Sequence, residues 1–208
     1  MPTYIAMLRG INIGPSKRVE MARLRKVLER AGFKRVRTYI QSGNVVFNAR
    51  KNTAAGLAEK IEKAMVAEFG FGALVMIRTE QEMSHALGNN PFVKESGKDP
   101  AKVHVCFLSE TPAAEAVKAL HALGTKVERV KCAGNEVYVY HLDGLGKAKV
   151  LNHGVLERIL AVKVTMRNWN TSSKLREMAE SRASAEDAGN QNLKTQRARR
   201  IRGGRRES

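Results

Sequence analysis

Four polar stretches hold the side chains of this sequence that are able to bind a ligand. In "RGINIGPSKR", residues 9–18, Arg9, Lys17 and the amides around two glycines lead from a strand-like run to a helix start, where backbone N–H groups and basic side chains receive anions. Asn12 in that loop can face the ligand or hydrogen-bond its own backbone. "QSGN", residues 41–44, offers Gln41, Ser42 and Asn44 as amide and hydroxyl groups, but reads first as a tight hairpin, since Gly-Asn, with a glycine that tolerates positive φ, is enough to explain the spacing. "GLGKAKVLN", residues 144–152, brings Lys147 and Lys149 ahead of a second helix start. It lacks the third glycine of a dinucleotide fingerprint and the G-K-[S/T] of a P-loop, so it suits phosphate without specifying a nucleotide. "RNWNT", residues 167–171, contains the only tryptophan. There Trp169 can stack on a base or sugar while Arg167 holds a phosphate between Asn168 and Asn170, or it can close a sheet edge while the asparagines satisfy a turn.

No catalytic constellation accompanies these stretches. A G-x-S-x-G elbow, an H-E-x-x-H helix and a carboxylate pair are all missing, so catalytic residues stay unknown and no cofactor is expected. His104 and His141 fall on strands expected to be neighbours, but two imidazoles without a nearby carboxylate or thiol make a poor zinc set, and no metal is expected. Cys106 and Cys132 lie in or beside β-like runs outside any C-x-x-C and read as reduced packing residues.

The elements that must position these stretches repeat a single plan. "YIAMLRG" reads as a strand, and Met21, Leu24, Val27, Leu28 and Ala31 recur at helical spacing before Gly32. "VRTYIQSGNVVF" reads as a hairpin about Gly43-Asn44, residues 57–69 as a second helix stopped at Gly70, and "LVMIRT" as a fourth strand. The order β-α-β-β-α-β is the split pattern of a ferredoxin-like fold. It restarts at "VHVCFL", with Thr111 and Pro112 expected to open a helix, a hairpin about Gly134-Asn135, Asn152 capping a second helix, and "VKVTMR" as last strand. The expectation is an α+β chain of two tandem ferredoxin-like halves arising by internal duplication. Its parts are residues 1–79, a short helix and linker over 80–101, a second half over 102–179, and a disordered basic tail from 180.

Charge bounds the partners. The chain of 208 residues carries 37 Lys and Arg against 20 Asp and Glu, a net +17, and the 28 residues from Ser181 hold eight of the basic ones. Such a balance attracts polyanions through counterion release. No apolar run is long enough for a membrane span and no cleavage pattern follows the N-terminus, so a cytoplasmic protein with no membrane partner is expected.

Taken together, "MLRGINIG", "RTYIQSGNVVF", "NNPF" and "TMRNWNTSSKL" resemble, over residues 1–179, the bacterial family catalogued as domain of unknown function 1697. The resemblance implies a two-part α+β fold related to the ferredoxin-like pattern and no activity. Departures from it fall at Ala148 and Leu151, where hydroxyl residues are usual, and at Pro15 in place of a glycine.

A ferredoxin-like half with parallel central strands would put "RGIN" and "QSGN" at opposite ends of one sheet, about 17–20 Å apart, and "GLGKAK" and "RNWNT" likewise in the second half. The motifs of the two halves are then expected to converge across the interface between halves. Three functions remain: binding of nucleic acid or another phosphate-rich ligand, an enzyme acting on a phosphorylated or nucleotide-like small molecule, and a structural or interaction module.

Overall fold

The structure, a computed structural model, describes residues 1–181; the expected disordered tail lies, from residue 182 on, outside the described residues. Two four-stranded antiparallel sheets form an α+β frame. The first has the order β2-β3-β1-β4, built from β1 (Thr3–Arg9), β2 (Lys34–Tyr39), β3 (Asn44–Asn48) and β4 (Leu74–Thr79). The second repeats it as β6-β7-β5-β8, from β5 (Val103–Leu108), β6 (Glu128–Ala133), β7 (Glu136–His141) and β8 (Val164–Asn168). Helices α1 (Met21–Arg30) and α2 (Ala54–Phe69) belong to the first half, and α5 (Ala114–Ala122) and α6 (His153–Leu160) to the second. Each half then adds one more helix after its last strand, α3 (Glu80–Gly88) and α7 (Trp169–Glu180).

Strand alternation sorts the apolar residues into three cores. Tyr4, Ala6 and Leu8 of β1 pack with Leu24, Leu28, Ile61 and Met65 under α1 and α2. Cys106 and Leu108 of β5 pack with Leu120, Leu156 and Leu160 under α5 and α6. The opposite faces of both sheets, Ile5 and Met7 on one and Val103, Val105 and Phe107 on the other, meet in a shared core closed by Met83 and Leu87 of α3 and Leu175 and Ala179 of α7. Fully burying each aliphatic or aromatic side chain of this kind contributes about 1.5–3 kcal/mol. That third core makes one body of the two halves.

Several expectations change here. The central strands are antiparallel, Met7 lying opposite Asn44 in β1 and β3, so "RGIN" and "QSGN" share one end of the sheet and Leu8 N donates to Gly43 O at 2.8 Å. A hairpin between β2 and β3 reverses the chain, and β1 must then run against β3. β7 and β8 both run against β5 and end at the same edge, Tyr140 opposite Val103 and Asn168 opposite His104. The stretch expected as linker folds a short helix α4 (Val93–Lys98) after Phe92, which is buried in the shared core. Thr111 caps nothing; α5 starts after Ala113, and the Thr111 hydroxyl donates to Asn135 Oδ1 instead. The expected tail start at residue 180 is the last residue of α7. Among the described residues no helix is long and apolar enough to cross a membrane.

Candidate functional site

Arg167 stands where the halves join. At the end of β8 its Nε donates to Asn44 Oδ1 at 2.6 Å, while Nη2 donates to Leu8 O at 2.8 Å and Ser42 O at 3.2 Å. Nη1 donates to Thr165 Oγ1 and Met166 O, so the fork is taken up by five neutral acceptors. Burial without a carboxylate partner pulls its pKa down to about 10. Asn44 is fully buried and donates to Tyr39 O and to Ser42 Oγ. Two of the four sequence stretches therefore meet here, through Ser42, Asn44 and Arg167, beside Leu8, the residue just before the first stretch.

The equivalent position on β4 is Arg78, which sits opposite Ile5 in β1 as Arg167 sits opposite Val105 in β5. It reaches the other way across the junction. Nε donates to Glu136 Oε1 at 3.0 Å and Nη2 to Leu108 O at 2.9 Å and Asn135 O at 3.2 Å. Each half thus inserts an arginine against the first residue of its partner's third strand and the carbonyls beside it, the exchange a two-fold relation between halves demands. Glu136 fills the place of Asn44, and the pair Arg78 and Glu136 is buried. Sequence reasoning passed over Arg78, Glu82, His85 and Glu136. One signal was present: the hairpin Gly-Asn precedes Glu136 as the glycine of the first hairpin precedes Asn44.

The other expected site residues divide. Arg9 pairs with Glu157 of α6 at both guanidinium nitrogens and donates to Val164 O, a second link between halves. Asn12, at φ 55°, binds its own neighbourhood: its amide donates to Val19 O at 3.0 Å and Gln41 O at 2.7 Å, and its oxygen accepts from Val19 N. Asn12 and Gln41 line a hollow of about 590 Å³ with Arg18. The Lys17 ammonium stands 5.8 Å from the Phe71 ring centroid. Lys147 and Lys149 are exposed, and the amides beside them are already used: Glu128 accepts from the N–H groups of Lys149, Val150 and Leu151. Burial pushes the Glu128 carboxyl up, but those three amides and His141 outweigh it and hold it low. An internal carboxylate fills the anion cradle that loop offers, and no hydrogen bond or ion pair ties either lysine side chain to the other three stretches among the described residues. Asn168 caps α7 by accepting from Thr171 N at 2.9 Å. Trp169 begins that helix, half-buried against the shared core, and Asn170 is exposed.

Two further features define what the surface can do. Between α3 and the β6–β7 hairpin lies a cleft of about 620 Å³ lined by Arg78, Glu82, His85, Asn135 and Glu136 among others. His104 and His141 touch edge to face with ring centroids 5.3 Å apart, and burial first, then His141, drives the His104 pKa down to about 4. Among the described residues no group of three His, Cys, Asp or Glu is placed to hold a metal. Charge is unevenly spread: residues 1–79 hold 15 basic and 5 acidic side chains, residues 80–181 hold 14 and 12.

Comparison with known proteins adds a family and a fold. The family model described as "Protein of unknown function (DUF1697)" matches residues 1–138, reaching only partway through the second half. A solved structure of conserved bacterial protein SP0830 from Streptococcus pneumoniae is similar to both halves, with a TM-score of 0.68 at 25% identity over 86% of this chain and 98% of that one. No curated protein matches.

Proposed function

For a chain that belongs to the DUF1697 family of unknown function, we propose binding of nucleic acid along a basic path on the first half, with each half built as a ferredoxin-like unit. The strand orders of the two sheets support the second part, being those of a split β-α-β-β-α-β unit. The excess of ten positive charges within residues 1–79 carries the first. Arg25 of α1 donates to Thr38 of the edge strand β2 at 2.9 Å, and Arg37 of β2 donates to Met178 O near the end of α7. The edge strand therefore links the basic side of α1 to the point from which the last 27 residues, with their eight basic side chains, continue. Arg18, Lys26 and Lys34 of the first half are exposed and have no acidic partner among the described residues. A phosphate backbone bound there would release counterions for each charge it meets. The junction arginines take no part, because Arg9 and Arg167 are engaged within the protein; the same engagement removes two anion holders from the enzyme reading.

A salt titration of duplex binding on the full chain and on residues 1–181 tests this. The path requires a linear fall of log K with log salt, about 0.9 per phosphate neutralised, that persists in the shorter chain with a reduced slope. Loss of all binding in the shorter chain would reject the folded half as the binding surface.

A further inference from the structure

The cleft between α3 and the β6–β7 hairpin has chemistry of the opposite sign. Its volume of about 620 Å³ falls in the range of small-ligand sites. The hydrogen-bonding groups on its floor are unequally used. Arg78 donates from Nε to Glu136, from Nη1 to Ile77 O and from Nη2 to Leu108 O and Asn135 O, which leaves its guanidinium little to offer a ligand. Glu136 accepts only at Oε1, and its Oε2 has no hydrogen-bond partner among the described residues although the residue is 9% exposed. Glu82 spends Oε2 on the Thr79 amide and hydroxyl and leaves Oε1 unused. His85 Nε2 is paired with the Asn89 amide at 2.7 Å. What remains open to the cleft includes acceptors on two carboxylates, one of them largely buried, beside the neutral amides of Gln81 and Asn135.

We propose that this cleft binds a small organic cation, an ammonium or guanidinium group that donates to the free oxygens of Glu136 and Glu82. An anion placed there meets both carboxylates, while Arg78, the only arginine among the described residues that line the cleft, is already neutralised by Glu136. Burial foremost, with Glu82 adding to it, holds the Glu136 carboxyl above the ordinary range against the pull of Arg78, so an arriving cation relieves a charge that the protein leaves under-compensated. The net +17 of the chain opposes this little, because charges beyond about 8 Å are screened at physiological salt. Among the described residues the site occurs once: at the equivalent junction Asn44 stands in the place of Glu136 and brings no carboxylate. It is independent of the nucleic-acid path.

The test is protein-observed amide NMR of the full chain titrated with methylguanidinium and, in parallel, with its neutral isostere N-methylurea. Methylguanidinium should shift the amides of residues 81–89 and 133–136 saturably, and N-methylurea should not. Glu136→Gln and Glu82→Gln should each weaken that binding roughly ten-fold, the scale of one lost charge-assisted hydrogen bond. Glu82→Gln keeps the fold, since glutamine serves at the third position of the capping box, and it decides the matter if the other variant fails to fold. No saturable shift, an equal response to the urea, or undiminished affinity in Glu82→Gln would overturn the proposal.

Discussion

Arg167 and Arg78 occupy equivalent positions at the ends of β8 and β4, yet the first closes on the amide of Asn44 and the second on the carboxylate of Glu136. Of the carbonyls they hold, Leu8 and Leu108 correspond, while Asn135 matches Gly43 and so stands one position nearer its strand than Ser42 does. The strand register is kept across the junctions while electrostatics is not. At Arg167 a guanidinium charge is buried among neutral dipoles and its pKa falls to about 10. At Arg78 the charge is cancelled, and it is the carboxylate that retains a free oxygen and a raised pKa. The difference separates what a fork of donors does for assembly, which both perform, from what a charge does for a ligand, which only one junction is equipped to do. Arginine suits both because its planar donors satisfy several carbonyls at once with or without a counterion.

The largest effect should come from Arg78→Met, which strands the Glu136 carboxylate in a dry wall and should cost about 3–5 kcal/mol in denaturant unfolding. Adding Glu136→Gln to it should recover a good part of that loss; if it recovers none, the charge is not what distinguishes the junctions. Arg167→Met removes the same fork but leaves no charge unpaired, so about 2 kcal/mol is expected from the carbonyls of Leu8 and Ser42 and the Asn44 amide. An equal or greater loss than for Arg78→Met would reverse the comparison. The caps that follow each arginine, Thr79 on α3 and Asn168 on α7, should each cost about 1 kcal/mol when changed to Ala, read as paired falls in melting temperature. The smallest effect is one of slope. Because the folded pKa of Glu136 is raised, its contribution to stability is full below the unfolded carboxyl range and is lost as pH rises through the folded value. Melting temperature across that window should depend less on pH in Glu136→Gln than in the parent, whereas Asn44 at the other junction contributes no such slope.

Much of the frame was legible in the chain. The helix stripes of α1 and α2, the stop at Gly70 and the cap at Asn152 all follow from local rules, with Gly70 at φ 75° and Asn152 accepting from Val155 N. The direction of the central strands was misjudged, and with it the end of the sheet that "RGIN" and "QSGN" share. α7 was missed because "RNWNT" looks like a turn; only the cap geometry of Asn168 and the packing of Leu175 and Ala179 into the shared core reveal a helix. Glu128 escaped notice because it reaches residues 149–151 from a strand more than twenty positions earlier, a contact without any local signature.

By itself the sequence determined the repeated element order, the apolar faces and the basic balance, because backbone propensity, side-chain period and charge are properties of neighbouring residues. Tertiary structure alone decided which polar groups are spent and which are left over. Arg9, Asn12, Arg167 and the amides beside Lys149 find partners inside the protein, while Glu136 keeps an open oxygen. The physical reason is that satisfying a buried donor or acceptor requires a partner in space, and such partners lie far off in the sequence: for Arg9 and Arg167 in the other half of the chain, for the amides beside Lys149 on a strand of the same half.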